Sequence, residues 1–212
     1  GMDFGLDPWT AAAVPLRAAP GHTSPAPPAT EPMPRYFAFL RALNVGGHVV
    51  KMDALRRLFE AAGMTEVETF IASGNVIFRA RGTDAAALER KLETRLEAGL
   101  GYAVRTFLRT DEELRAVAVH QPFPVARFRS AQAWNVAFLQ APLGAAGRKA
   151  LKAMESEESD FRVAGREIYW LCQVRQSESA VFKIPFEKRI GVPATFRSLS
   201  TIGKLARKYQ LL

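Results

Sequence analysis

From Tyr36 onward the spacing of apolar residues switches repeatedly between two periods, and the order of those switches constrains the fold. "YFAFLRAL" is short and aromatic-rich, as a strand is. Met52, Leu55, Phe59 and Ala62 recur at helical spacing until Gly63 ends the run. "VETFIA" and "NVIFRA" flank Ser73-Gly74 as the arms of a hairpin. Leu88, Leu92 and Leu96 mark a second helix behind Asp84, which can cap it, and "YAVRTFL" reads as a fourth strand. Asp111 to His120 then reads as a further helix.

The second half runs through the same order. "AWNVAFLQ" is a strand, Ala150, Leu151 and Met154 mark a helix, and "DFRVAG" and "REIYWLC" form a hairpin turning at Gly165-Arg166. Val181 to Ile190 is expected to be helical, "ATFRSL" a short strand, and Thr201 to Tyr209 a closing helix. Identities between the halves support a duplication. Ala38-Phe39-Leu40 matches Ala137-Phe138-Leu139 at an offset of 99, and Leu55 matches Leu151 at 96. Gly74 and Ile77 match Gly165 and Ile168 at 91, as Thr110 and Leu114 match Thr201 and Leu205. The expected fold class is α+β: two tandem ferredoxin-like alpha-beta plaits (βαββαβ) with antiparallel sheets. Residues 35–124 form the first with its connecting helix, and 125–212 the second with a C-terminal helix.

Residues 1–34 differ in composition from the rest. They hold 8 of the 13 prolines, which predicts a mobile, disordered tail with little to bury. Gly1 ahead of Met2 reads as a tag-cleavage scar, and Met33 as a second candidate start. The tail lacks the basic start and unbroken apolar run of a signal peptide. No run of 18 or more apolar residues occurs, and Cys172 is the one cysteine, so no internal disulfide can form. A cytoplasmic location is expected. The net charge is +8, rising to +10 for the chain after Pro34. Such a surplus suits an anionic ligand or RNA, and equally suits simple solubility.

The motifs in this order resemble those of a bacterial family, domain of unknown function 1697. Its opening Leu-Arg-Gly-Ile-Asn-Val-Gly-Gly stands here as Leu40-Arg41-Ala42-Leu43-Asn44-Val45-Gly46-Gly47. Its Ser-Gly-Asn is Ser73-Gly74-Asn75, and its Asn-Pro-Phe-Pro is Gln121-Pro122-Phe123-Pro124. Its closing motif is Ala194-Thr195-Phe196-Arg197-Ser198, then Thr201 and Leu205. Ala42 and Ser198 replace a usual Gly and Asn, and the family's Ser-Lys step is not evident in "SESAVFK". The resemblance implies a two-plait fold and no particular activity.

In a plait the first strand-to-helix loop lies at the same end of the sheet as the hairpin. The candidate ligand-binding residues are therefore Asn44, Gly46, Gly47, Lys51, Ser73, Gly74 and Asn75, with Arg197 from the closing motif. Paired glycines can turn amides toward an anion at the start of a helix. They serve equally as a turn that needs positive φ. The loop has neither the Gly-x-Gly-x-x-Gly nor the Gly-x4-Gly-Lys pattern. Across it the offset falls from 99 to 96, so the second half is expected to be three residues shorter there.

Three functions follow. The first is a non-catalytic module binding a nucleotide or RNA. The second is an enzyme on a small phosphorylated or anionic substrate, with Ser73 and His48 its one conceivable nucleophile and base. The third is a protein scaffold. Sheet aromatics (Phe37, Phe39, Phe78, Trp134, Phe138, Tyr169, Trp170) can stack RNA bases or fill the contact between halves. Arg197, Lys204, Arg207 and Lys208 can hold phosphates or solvate a helix. His22, His48 and His120 have no metal-ligand spacing, and no cofactor or metal is expected.

Overall fold

A computed structural model describes residues 32–44, 46–71 and 74–212. The expected tail up to residue 31 and candidate Ser73 lie outside the described residues. Met33–Leu212 form one unit. In its first half come β1 (Arg35–Arg41), α1 (Met52–Ala61), β2 (Thr65–Thr69), β3 (Asn75–Arg79), α2 (Ala85–Leu100), β4 (Arg105–Thr110) and α3 (Asp111–Val119). A short α4 (Val125–Ser130) links to β5 (Ala133–Leu139), α5 (Ala145–Ala153), β6 (Ser159–Ala164), β7 (Glu167–Cys172), α6 (Phe186–Ile190), β8 (Ala194–Ser198) and α7 (Leu199–Lys208). The described residues thus make two four-stranded antiparallel sheets and seven α-helices, with strand orders β2-β3-β1-β4 and β6-β7-β5-β8.

Strand β1 shows why its sequence is apolar on both faces. Tyr36, Ala38 and Leu40 face Leu55 and Phe59 of α1 and Leu92 and Leu96 of α2. Phe37 and Phe39 face the other way, into a central core shared with Val136 and Phe138 of β5, Leu114 and Val117 of α3, and Ile202 and Leu205 of α7. A third core lies between the second sheet and α5 and α6. A strand buried on both faces reads as a continuous apolar run rather than an alternation. At the centre the rings of Phe39 and Phe138 stack 4.2 Å apart and nearly parallel.

Helix ends follow their caps. Asp84 accepts the Ala87 amide at the start of α2, and Gly101 in the left-handed region ends it. Thr110 and Glu113 form a capping box on α3, and Ser198 caps α7 by accepting the Thr201 amide. The helix expected over Val181–Ile190 is instead a 3-10 turn, Val181–Lys183, followed by α6. Pro185 divides them, because it offers no N–H and its ring obstructs the preceding turn.

Strand register corrects the four identity matches made at an offset of 91. Phe37 pairs with Arg109, as Val136 pairs with Arg197. The fourth strands therefore correspond at an offset of 88, not 91, which sets Thr110 against Ser198 and Leu114 against Ile202. Phe37 also pairs with Ile77 and Val136 with Tyr169, so the hairpins correspond at 92. Leu40 corresponds to Leu139. From there α1's cap, Lys51, is six residues further along the chain than α5's cap, Gly144, would require. The first loop's excess is thus six residues, twice the expected three.

Candidate functional site

Beyond Arg41 the chain leaves β1 and loops to Lys51, the residue that starts α1. Asn44 closes this loop: its Oδ1 accepts the Val50 amide at 3.1 Å. The Tyr102 hydroxyl donates to the Leu43 carbonyl, and the His48 ring stacks on Tyr102 at 4.5 Å. Gly46 (φ 59°) and Gly47 (φ 81°) both sit in the left-handed region that favours glycine. Both are exposed, Lys51 is exposed, and Val49 is 84% exposed. No side chain caps the first turn of α1, and Asp53 lies within it. The loop is thus braced from within yet open to solvent.

The hairpin side of the predicted site is different. The Gly74 carbonyl accepts the Leu40 amide at 2.8 Å, and a Cβ on Gly74 would stand 3.2 Å from Leu40 Cβ. Asn75 is buried; its Nδ2 donates to the Phe70 carbonyl, and its Oδ1 accepts Arg197 Nε at 2.7 Å. Arg197 Nη2 donates to the carbonyls of Leu40 (2.9 Å) and Gly74 (3.3 Å), and its guanidinium lies over the Phe39 ring. Gly74, Asn75 and Arg197 are brought together, but as a hydrogen-bonded seam between the two sheets. Burial pulls the Arg197 guanidinium down to about 10, which leaves it charged at neutral pH.

An arginine at the corresponding position, Arg109, makes the reciprocal seam. Its Nη2 donates to the carbonyls of Leu139 (2.8 Å) and Arg166 (3.0 Å), its Nε pairs with Glu167 Oε1 at 2.7 Å, and it lies over Phe138. Sequence reading missed Arg109. The available signal was the ending it shares with Arg197: a strand closing on Arg and then a hydroxyl that caps the next helix. Two further cross-links repeat the pattern. Arg41 pairs with Glu187, and Gln140 donates to Glu93 Oε1.

Beside this second seam lies a cleft of about 360 Å³ between α3 and the β6–β7 hairpin. Ala116, Val117 and Ala164 line it, with Glu113, His120, Arg166, Glu167 and Tyr169 supplying polar groups. Arg166 and Glu113 pair at 2.6 Å, and the His120 and Tyr169 rings meet at 4.8 Å. Burial raises the Tyr169 phenol, so its proton stays on.

A family model described as a protein of unknown function (DUF1697) matches residues 33–169. The chain belongs to that family. The conserved bacterial protein SP0830 from Streptococcus pneumoniae shares the DUF1697 chain's fold, with a TM-score of 0.67 at 24% identity over 84% of this chain and 99% of that one. No curated protein matches in sequence.

One departure from the family opening has a backbone consequence. Ala42 stands where the family usually has Gly, and its φ is +61°. An L-residue there costs about 1–2 kcal/mol, partly offset by the greater unfolded freedom of Gly. Ala42→Gly is expected to stabilise this DUF1697 chain by about 0.5–1 kcal/mol, read as a higher urea midpoint at unchanged slope.

The aromatic residues weighed for RNA stacking are spoken for. Phe37, Phe39, Phe138 and Tyr169 lie in the central core, Phe78 under α1 and α2, and Trp170 in the third core. Trp134 packs on Phe128 and donates its indole N–H to that residue's carbonyl. Cys172 is buried. Among the described residues no cluster of three His, Cys, Asp or Glu is placed to hold a metal, and no helix is long and apolar enough to cross a membrane.

Proposed function

We propose that the chain is a non-catalytic module of two tandem ferredoxin-like plaits, dividing near Pro124, that binds a phosphate-bearing anionic ligand at the loop from Asn44 to Lys51. The observation that carries this reading is the loop itself. It has six residues that its counterpart before Gly144 does without, so a plait does not need them to make the connection. It is braced by the Asn44–Val50 bond and the His48–Tyr102 stack, and so is preorganised. Its glycines leave the backbone approachable, and Lys51 adds positive charge beside the uncapped first turn of α1. Gly74, Asn75 and Arg197 then form the wall behind the loop. Both ends of the Asn75 amide are engaged, which weighs against the alternative in which Asn75 acts on a substrate. A nucleotide or single-stranded RNA would be held by its phosphates rather than by stacking on a sheet.

The test is a thermal-shift series with nucleotides, phosphate esters and a short RNA at rising salt. At least one is expected to stabilise the protein, with an effect that fades as salt rises. Lys51→Ala should reduce that stabilisation severalfold and leave the unliganded melt unchanged. No stabilisation by any member, or stabilisation indifferent to both salt and Lys51, removes the electrostatic basis of the reading.

A further inference from the structure

The cleft between α3 and the β6–β7 hairpin includes none of the loop residues and has polar groups the fold leaves unused. Tyr169 is 2% exposed, yet its hydroxyl makes no hydrogen bond with any described residue. The buried, unpaired side-chain polar atoms among the described residues are Thr106 Oγ1 and Asn135 Nδ2, so the Tyr169 hydroxyl is not sealed off and opens onto the cleft. Glu167 is half engaged: Oε1 holds Arg109, while Oε2 has no donor among the described residues. That oxygen lies 3.5 Å from where a Cβ on Gly165 would stand, at the hairpin lip of the cleft. Exposed His120 stands against the Tyr169 ring. The Arg166–Glu113 pair closes another wall, so the charges of both arginines at the site are already matched by carboxylates.

The corresponding space between α7 and the β2–β3 hairpin shows what such a place accommodates. Lys208 occupies the position corresponding to His120, and Ile77 that corresponding to Tyr169. There Lys208 Nζ lies 5.2 Å from the centre of the Phe70 ring, which packs on the central core. Phe70 comes from the longer β2–β3 connection, which runs from Thr69 to Asn75. The β6–β7 connection is only Gly165-Arg166 and has no aromatic residue to send in. One half fills the space with its own aromatic ring; the other leaves it open and lines it with a phenol, a carboxylate oxygen and an imidazole.

We propose that this cleft binds a small planar nitrogen heterocycle of the nucleobase class. The ring lies against Ala116, Val117 and Ala164 and meets His120. A ring or exocyclic N–H donates to Glu167 Oε2, and the Tyr169 hydroxyl donates to a ring nitrogen or carbonyl. The volume falls within the range of small-molecule sites. With both arginines already paired to carboxylates, the site favours a neutral base rather than an anion, and so differs in chemistry from the loop.

Titrating the full chain with free adenine, hypoxanthine and uracil, followed by amide NMR, tests the proposal. These probes carry no phosphate, so the result is independent of the loop. At least one base is expected to give saturable shifts centred on Ala116, His120, Arg166 and Tyr169, with a Kd of about 1 mM or tighter. Tyr169→Phe removes one oxygen and keeps the ring; it should weaken binding about tenfold, the loss expected for one hydrogen bond of about 1.4 kcal/mol. Ala116→Phe fills the cleft from an exposed position and should abolish the shifts while leaving the thermal midpoint in place. No saturable shift with any of the three bases overturns the proposal. So do shifts that persist undiminished in Ala116→Phe or, if that variant fails to fold, in Tyr169→Phe.

Discussion

Arg109→Ala is expected to cost about 3–5 kcal/mol, a large share of the roughly 5–15 kcal/mol that holds a domain folded. Arg109 is fully buried, and its guanidinium serves four acceptors: Glu167 Oε1 and the carbonyls of Leu108, Leu139 and Arg166. Truncation takes a donor from three carbonyls, of which that of Arg166 still accepts the Leu139 amide, and leaves the Glu167 carboxylate, whose side chain is 14% exposed, without its counter-charge. Desolvation lowers the arginine's own pKa and Glu167 raises it again, so the two ions depend on each other. Removing both should therefore hurt less than the single change suggests. Arg109→Met with Glu167→Met is expected to recover a good part of the loss, since a buried pair is often replaceable by apolar groups when neither charge is left alone. Lysine should not substitute, because one ammonium cannot span acceptors arranged around a planar fork. Urea midpoints of the two single variants and the double variant decide the matter. A loss under about 1 kcal/mol for Arg109→Ala would mean that the seam between the sheets does not depend on this residue.

That seam also shows where sequence reading stops. Strands and helices were legible because their periods are local: "YFAFLRAL" and the Leu88-Leu92-Leu96 ladder each announce themselves within a dozen residues. The seam is not local. Arg109 bonds backbone carbonyls 30 and 57 residues away, and a carbonyl has no side-chain signature to search for. Identity matching between the halves held for β1 and β5 but failed on the helices, for a related reason. On a helix the apolar pattern repeats every three or four residues. Leu114 thus matches Leu205 as readily as it matches its register partner Ile202, one turn earlier, and all three lie in the central core. Leu55 and Leu151 were misaligned in the same way. Backbone pairing has no such degeneracy, and it doubles the length of the extra loop. The loop residues themselves were found from glycine placement and connection length, which are local. The cleft was not, because it arises from residues that the second hairpin lacks: its defining feature is the place where Phe70 has no counterpart.

Glu89 sets the second large expectation, a slope in stability against pH. It lies on α2, is buried, and its Oε2 accepts the Leu108 amide on the outer side of β4. Its neighbour Glu93 accepts the Thr106 amide in the same way, so two carboxylates cover the free edge of the first sheet. Burial pushes Glu89 from its ordinary 4.5 to about 7; the Leu108 amide and the charges of Arg109 and Arg166 pull it back only partly. The folded protein therefore holds this proton where the unfolded chain has released it. Stability falls as pH rises from about 4.5 and levels off above about 7, by up to roughly 3 kcal/mol for a shift of this size. Glu89→Gln can still accept the Leu108 amide and cannot ionise. It should flatten this part of the profile, matching the parent near pH 4 and exceeding it at pH 8. Any cost of the new amide N–H is the same at every pH, so the readout is the difference in slope rather than the offset. Urea midpoints at intervals across that window measure it. Parallel profiles for the parent and Glu89→Gln would show that Glu89 is ionised in the fold at little cost, with the edge-capping hydrogen bond and the two arginines compensating its burial in full.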